Sequence, residues 1–188
     1  MSREGVGQPA HRVYRIARHR WELEQIHRLN YRTFVEEIPQ HPPNRDQRLV
    51  DSLMARSTPF VCLEDGRVIG MVMLSGERPF SLDRKLPGLD TYLPAGKKPC
   101  EARLLMIEPR YRNGRVFAEL LVCAARWGRA EGYELVVISA TLRQMKLYRH
   151  LGFVPFGPPI GTVEAPFQAM YATWDQVPEP VRRLVESF

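Results

Sequence analysis

The chain has 188 residues, of which 44% are hydrophobic and 26% are charged, and its formal net charge is +6. A chain of this length is usually one domain that buries a sizeable core, and the composition is that of an ordinary globular protein. No stretch reaches the roughly 18 apolar residues of a membrane span, and residues 1–11 lack the apolar core of a signal peptide. The sequence therefore predicts a single cytoplasmic domain, 1–188, and excludes a membrane span.

The positive charge predicts an acidic partner. The basic residues are spread over 12–20, 110–115 and 143–150, without the recognition motif or the aromatic platform of a nucleic-acid-binding protein. A solvated basic surface, a phosphorylated ligand and an acidic protein partner are all compatible with it. We predict no nucleic-acid partner and keep a basic RNA-associated protein as a rival hypothesis.

The three cysteines are predicted to be buried, reduced thiols. Cys62, Cys100 and Cys123 are odd in number, lack the spacing of metal ligands and lie in or beside apolar segments. A metal site is not predicted.

Hydrophobic periodicity predicts strands and helices along the whole chain. Asp65-Gly66 separates two predicted strands and is a strong hairpin signal. The predicted fold class is α/β, with a mixed, mostly antiparallel central sheet flanked by helices. The predicted strands are 13–17, 59–64, 68–75, 103–107, 134–140, 153–156 and 167–174, and the predicted helices are 21–38, 46–56, one that opens at the loop 110–115 and a short one within 147–153.

The stretch 76–99 fits neither a strand nor a helix. Four prolines and three glycines interrupt it, and it is too long for a plain connection in a compact domain. One interpretation is a functional loop whose apolar side chains cover an acyl chain, and the alternative is a flexible surface insertion. The apolar side chains are Phe80, Leu82, Leu86, Leu89, Tyr92 and Leu93.

The most informative segment runs from Glu101 to Phe156. An apolar strand that stops at Pro109 leads into the basic, glycine-containing loop 110–115 and then into a helix. The start of a helix offers unpaired N–H groups and the positive end of its dipole, where anions bind. The segment therefore predicts a site for a phosphorylated carrier.

Two motifs resemble those of the GNAT superfamily of N-acyltransferases. The first is Ile107-Glu108-Pro109-Arg110-Tyr111-Arg112 followed by Leu120-Leu121, and the second is the Leu-Tyr-x-x-Leu-Gly-Phe segment 147–153. The resemblance implies a single GNAT-like domain and an acyl-thioester co-substrate, which is acetyl-CoA, a longer acyl-CoA or acyl-phosphopantetheine on acyl carrier protein. The cofactor-binding residues that it implies are Met106, Ile107, Arg112, Asn113, Gly114, Arg115, Val116, Phe117, Ala118 and Thr141.

The chain departs from the GNAT pattern in two places. Arg115 and Phe117 stand where the family mostly has glycine, so the predicted loop is bulkier than the usual pyrophosphate site. Thr141 and Gln144 stand where many members have Asn and Ala. A donor different from acetyl-CoA accounts for both departures.

Transfer of an acyl group to an amine requires a base, donors for the carbonyl oxygen and an acid for the leaving sulfur. The GNAT resemblance implies that Tyr148 is the acid, and its alternative is a core tyrosine. Glu101, at the start of a strand, is the predicted base or water-relay carboxylate, and its alternative is a surface charge.

A second, shorter resemblance lies in the first predicted helix. Tyr31-Arg32-Thr33-Phe34-Val35-Glu36-Glu37 resembles the GNAT branch that contains N-acyl amino acid synthases and acyl-homoserine lactone synthases. That branch uses long acyl groups on acyl carrier protein as well as on CoA. Glu36 and Glu37 are the residues predicted to bind the ammonium group of the acceptor, with a solvated helix end as the alternative.

The sequence thus predicts an N-acyltransferase that moves an acyl group from a thioester to a primary amine or amino acid. A non-catalytic binding module for acyl-CoA or acyl carrier protein is the main rival, since the loop is substituted.

Overall fold

The computed structural model describes residues 11–112 and 114–187. Its centre is one eight-stranded sheet with the order β1-β2-β3-β4-β5-β8-β6, and β7 pairs with β8. All pairs are antiparallel except β4 with β5, which is parallel. The predicted fold class is confirmed. The strands are β1 Arg12–Ile16, β2 Thr58–Glu64, β3 Arg67–Ser75, β4 Pro99–Ile107, β5 Leu135–Thr141, β6 Val154–Pro155, β7 Ile160–Gly161 and β8 Pro166–Thr173.

Helices cover both faces of the sheet. The α-helices are α1 Arg20–Tyr31, α2 Ser81–Lys85, α3 Arg115–Ala130, α4 Met145–His150 and α5 Glu179–Glu186, and the 3-10 turns are Met54–Arg56, Leu89–Tyr92, Pro109–Tyr111, Leu142–Gln144 and Trp174–Gln176. A π-helix, Arg32–Glu37, continues directly from α1. The predicted helix 21–38 is therefore present, with a wider last part.

The β2–β3 hairpin turns where the sequence predicts. Asp65 and Gly66 both have positive φ angles, of 49° and 76°, as a two-residue hairpin turn of the primed type requires. The turn fixes the register that puts Glu64 opposite Arg67.

One face of the sheet, which we call the α3 face, packs against α3 and α4. α3 buries Val116, Leu120 and Ala124 in a cluster with residues of β2, β3 and β4. A Cβ on Gly70 of β3 would lie 3.0 Å from Val116 Cγ1 and 3.1 Å from Leu120 Cδ1. A glycine at this position therefore lets α3 approach the sheet closely.

The other face, which we call the insertion face, packs against α1 and the segment 76–99. Ile26 and Leu29 of α1 pack with Met71, Met73 and Met106. The insertion packs farther along the same face, where its apolar side chains join residues of β5, β8 and the segment at Phe156.

One predicted element is wrong and two elements were missed. The predicted helix 46–56 is only the 3-10 turn Met54–Arg56. The backbone before that turn bonds to α1 instead of to itself, since Leu49 N donates to His27 O and Leu49 O accepts from Asn30 Nδ2. The C-terminal helix α5 and the short strand β7 were not predicted.

Candidate active site

A cleft opens in the middle of the sheet between β4 and β5. The two strands pair in parallel from Pro99↔Leu135 to Glu101↔Val137, and no further pair between them occurs in the part of the chain that the structure describes. β4 nevertheless continues to Ile107 and β5 to Thr141. The β4–β5 cleft is thus bounded by 102–107 on one side and 138–141 on the other.

A β-bulge distorts β4 beside this cleft. Met73 pairs with Arg103 and Met71 with Met106, so Leu104 and Leu105 together oppose Val72. Leu104 has a φ of 52°, a left-handed conformation that is unfavourable for a leucine by about 1–2 kcal/mol. Such bulges are common next to active sites, where they change the direction of backbone groups. The edge of β4 that faces the cleft therefore presents backbone N–H and C=O groups without a partner strand.

Tyr148 lies on the α3 face of the cleft. Its ring packs in a cluster with Ile138 and Ala140 of β5 and against Ala102 of β4. Burial raises the pKa of its hydroxyl to about 12, so the hydroxyl keeps its proton at neutral pH. The hydroxyl forms no hydrogen bond with a described residue, so it is available as a donor.

The end of α4 explains the glycine of the Leu-Tyr-x-x-Leu-Gly-Phe motif. Gly152 has a φ of 92°, and a Cβ there would lie 2.3 Å from the carbonyl oxygen of Gln176. Only glycine fits this turn, which sets the position of Tyr148 relative to β5.

The start of α3 is the predicted phosphate site. The helix α3 begins at Arg115, and the positive end of its dipole lies there. Among the other predicted donor residues, Val116 and Ile107 are buried in the core of the α3 face, and Met106 is buried on the insertion face. Asn113 lies outside the described residues.

The remaining predicted donor residues differ in exposure. Phe117 is half-buried and packs against the same core cluster as Ile107, whereas Gly114, Arg115 and Ala118 are exposed at the start of α3. Thr141 ends β5 and donates from Oγ1 to Gln144 Oε1 over 3.1 Å.

Arg112 connects the loop before α3 to the end of the π-helix. Its two Nη atoms each donate to the Glu37 carboxylate over 2.6 Å, and its Nε donates to Ile107 O over 2.8 Å. The hydrogen bond from Arg112 lowers the pKa of Glu37. Arg112 and Glu37 therefore engage each other, and neither side chain reaches its predicted ligand without breaking this pair.

Glu36 does not share a site with Glu37. It lines a crevice of about 310 Å³ behind α1, together with Arg28, Arg32, Arg67 and Glu108. The predicted pair of ammonium-binding carboxylates therefore does not form beside the cleft, because the π-helix directs the two side chains to different surroundings.

Glu101 is buried and anchors the insertion. Its Oε1 accepts hydrogen bonds from Ser81 Oγ at 2.6 Å and Leu82 N at 3.1 Å, and its Oε2 accepts one from Ser81 N at 2.8 Å. Glu101 is only 1% exposed, so it is not the surface charge of the alternative hypothesis. The carboxylate attaches the start of α2 to the last paired residue of β4.

Most apolar side chains of the insertion are part of the core, whereas Tyr92 is exposed. Phe80, Leu82, Leu86 and Leu89 are buried against Leu135, Val137 and Phe156. They consequently do not line an open groove for an acyl chain, and that part of the functional interpretation is wrong. The burial of these four side chains also shows that the insertion does not lie wholly on the surface.

Charged and polar side chains that the sequence analysis did not select surround the cleft on the insertion face. Arg103 forms a two-pronged ion pair with Asp51, at 2.9 and 2.8 Å. Lys85, at the end of α2, places its ammonium over the ring of Phe167. The available signal was a polar residue within each of two otherwise apolar strands, Arg103 two positions after Glu101 in β4 and Ser139 in β5.

No helix within the described ranges is long and apolar enough to cross a membrane. In the same ranges, no group of His, Cys, Asp and Glu is arranged to hold a metal ion. Cys62 and Cys100 are buried and Cys123 is half-buried, and all three are free.

A mixed sheet that opens between its parallel central strands, next to the start of a helix, is the architecture of GNAT-type acyltransferases, the class that the two sequence motifs predicted. The protein is an acyltransferase of this class. Residues 25–173 match the model of the family described as N-acyl amino acid synthase FeeM, and the chain belongs to this family.

Solved structures of related enzymes share the fold. The acyl-homoserine lactone synthase LasI has a TM-score of 0.74 and 18% identity, with 95% of this chain and 96% of LasI covered. FeeM, an N-acyl amino acid synthase from uncultured soil microbes, has a TM-score of 0.71 and 17% identity, with 93% and 98% covered. BjaI, a CoA-dependent acyl-homoserine lactone synthase solved with SAM and isopentyl-CoA, has a TM-score of 0.70 and 22% identity, with 88% and 80% covered. No curated protein sequence matches the chain significantly.

Proposed function

We propose that the protein is an N-acyltransferase that transfers an acyl group directly from a thioester to a primary amine. The observation that carries the proposal is the β4–β5 cleft, which has Tyr148 on the α3 face and charged side chains on the insertion face. Two substrates can then approach one point from opposite faces. Membership of the N-acyl amino acid synthase family supports an amino acid as the amine.

The donor enters from the α3 face in this proposal. A phosphate of coenzyme A or phosphopantetheine binds at the start of α3, where the positive end of the helix dipole favours an anion. The pantetheine arm then reaches the cleft between 102–107 and 138–141. A CoA donor is consistent with BjaI, whose structure was solved with isopentyl-CoA.

The cleft supplies the groups that aminolysis of a thioester needs. Backbone N–H groups on the open edge of β4, beside the Leu104 bulge, donate to the carbonyl oxygen as negative charge develops on it. The amine nitrogen forms a bond to the carbonyl carbon, the C–S bond breaks, and the Tyr148 hydroxyl donates a proton to the departing sulfur. Burial raises the pKa of the Tyr148 hydroxyl, and the same apolar surroundings raise the pKa of the leaving thiol. Because both pKa values rise together, proton transfer from the hydroxyl to the sulfur stays favourable.

The proton of the attacking amine leaves on the insertion face. We propose that Glu101 accepts it through a water molecule, because Glu101 Oε2 accepts a single hydrogen bond from the described residues, that from Ser81 N. Its second function is to anchor α2, as its bonds to Ser81 and Leu82 indicate.

The acyl group is proposed to be longer than acetyl. With the insertion side chains buried in the core, this proposal is supported by the family and by Arg115 and Phe117, which replace the small residues of the usual loop. Each additional buried methylene contributes about 0.8 kcal/mol, so even a short apolar path would distinguish chain lengths.

This function is tested by measuring thiol release in the presence of a panel of amino acids. The donors are acetyl, octanoyl and palmitoyl thioesters, each on CoA and on acyl carrier protein. We expect faster release from the octanoyl or palmitoyl donor than from the acetyl donor, and release that depends on the amino acid. Equal or faster release from acetyl-CoA would reject the longer acyl group. Absence of release from every thioester would reject the transferase.

A further inference from the structure

Hydrogen-bond donors without acceptors gather on the insertion face beside the cleft. Ser139 Oγ and Arg103 Nε are both buried and have no partner among the described residues. Arg103 Nε lies 3.9 Å from Glu101 Oε2, beyond hydrogen-bond distance. A buried polar atom without a partner is unfavourable by about 1–3 kcal/mol, which a ligand with suitable acceptors would remove.

These two residues occupy equivalent positions on the diverging strands. Glu101 and Val137 form the last β4–β5 pair, and Arg103 and Ser139 each lie two residues farther on. Because side chains alternate between the faces of a strand, both lie on the same face as Glu101. They therefore border the cleft from its two sides.

Lys85 adds a cation to the same place. Its ammonium lies 5.5 Å from the centre of the Phe167 ring, and Phe167 is paired with Thr141, two residues beyond Ser139. Lys85 has no ion pair with a described residue. Its position is set by α2, whose first residues bond to Glu101.

The carboxylates nearest Lys85 are already bonded to other groups. Lys85 is exposed to solvent, yet desolvation by the atoms around its ammonium is the largest cause of its lowered pKa; Arg103 lowers the pKa further, and Glu101 and Asp51 oppose the shift. Asp51 is already paired with both Nη atoms of Arg103, and Glu101 is bonded to Ser81 and Leu82. Neither carboxylate therefore neutralises Lys85 at hydrogen-bond distance.

We infer that Lys85, Ser139 and Arg103 bind the carboxylate of the acceptor and so select amines that carry one. A carboxylate has two acceptor oxygens and one negative charge, which suits an ammonium, a hydroxyl and a guanidinium N–H. In an amino acid, the amine lies close enough to such a carboxylate to reach the cleft. The inference rests on the proposed function, and it assigns the specificity for the acceptor to residues of α2, β4 and β5.

Calorimetry with matched ligands tests the site without turnover. Phenylalanine would be compared with phenethylamine and tyrosine with tyramine, each in the presence of CoA, on wild type, Lys85→Met and Lys85→Arg. Lys97→Met is the matched control, since Lys97 lies on the same insertion and pairs with Glu134 at 3.4 Å. Thermal denaturation would verify that each variant is folded.

We expect wild type, Lys85→Arg and Lys97→Met to bind the amino acid about tenfold or more tightly than the matched amine. Lys85→Met should lose most of this preference, and Ser139→Ala a smaller part of it. In kinetics, Lys85→Met should raise the KM for the amino acid with little change in kcat, and leave the KM for the amine unchanged.

Failure of the inference differs from failure of the proposed function. Equal affinity of wild type for amino acid and amine, binding of neither, or a full preference in Lys85→Met would overturn the carboxylate site. Preference for the carboxylate without thiol release from any thioester would support the site and refute the transferase.

Discussion

At the scale of single residues, the environment of Tyr148 determines what its hydroxyl can do. The ring contacts Phe153 edge to face at 5.6 Å and packs against β5. Because burial raises the pKa of the hydroxyl to about 12, the group stays protonated at neutral pH. It is therefore suited to donate to sulfur and unsuited to act as a base.

Tyr148→Phe is expected to lower kcat about a hundredfold or more and to leave the KM for the donor nearly unchanged. Phenylalanine keeps the ring packing and removes only the acid. Steady-state thiol release provides the measurement, with the exposed Tyr92→Phe as control. Wild-type kcat in Tyr148→Phe would show that the residue serves packing alone.

Glu22 is a buried carboxylate that stabilises the start of α1. It accepts hydrogen bonds from Arg18 N, His19 N and Arg15 at the start of α1. Burial alone would raise its pKa, but the bonds from Arg15, His19 and Arg18 outweigh burial and lower the pKa from 4.5 to about 2. Its charged form therefore stabilises the fold.

Glu22→Gln is expected to reduce the free energy of unfolding at pH 7 by roughly 2–3 kcal/mol. Since the folded-state pKa is the lower one, this stabilisation is complete above pH 5 and is lost as the pH falls towards 2. Urea denaturation of both proteins between pH 7 and pH 3 would measure it. A difference that is constant across this range would contradict the ionic role of Glu22.

At the scale of elements, the turn after α4 is the best-defined constraint on the site. Gly152 and Gly132 both have positive φ, at 92° and 77°. A Cβ at Gly152 would contact Gln176 O at 2.3 Å, whereas a Cβ at Gly132 would have nothing within 4 Å. Alanine at Gly132 would suffer only from the positive φ, whereas alanine at Gly152 would also collide with Gln176 O.

Gly152→Ala should therefore destabilise the protein by clearly more than Gly132→Ala, for which about 1 kcal/mol is expected from the backbone alone. Gly152→Ala should also lower kcat, since the turn positions Tyr148. Urea unfolding and thiol release measure the two effects. Equal loss of stability in both variants would show that Gln176 moves aside without penalty.

Long, strongly patterned elements could be predicted from the sequence. The helix 21–38, the β2–β3 hairpin and the Leu-Tyr-x-x-Leu-Gly-Phe turn have local signals, namely apolar spacing, Asp-Gly and a glycine at the helix end. The segment 46–56 has a helical pattern as well, but its backbone bonds to α1 at Leu49. Tertiary contacts of this kind leave no trace in local periodicity.

The candidate site was predicted only in part for the same reason. Tyr148 and the start of α3 carry motifs, and the structure places them on one face of the cleft. Lys85, Arg103 and Ser139 are far apart in sequence and meet only because β4 and β5 diverge and Glu101 anchors α2. The bulge at Leu104 lies in an uninterrupted apolar run, 104–107, in which alternation cannot show an extra residue.

At the scale of the whole molecule, the proposed function uses the two faces of the sheet for two substrates. In this proposal the thioester donor binds on the α3 face, the amine acceptor binds beside the charged residues of the insertion face, and the cleft connects them. The cysteines do not favour a mechanism through an acylated cysteine. Burial raises the pKa of Cys62 and Cys123, and that of Cys100 to about 12, so none is a ready thiolate. The architecture therefore predicts direct transfer.

The most direct test of this account is the simultaneous measurement of released thiol and amide product, with octanoyl-CoA as donor and one amino acid as acceptor. Direct transfer predicts one amide, detected by mass spectrometry, for each thiol, and no thiol release or acylated protein when the amino acid is omitted. A burst of thiol with acylated protein in the absence of the amino acid, or thiol release without amide, would contradict the account.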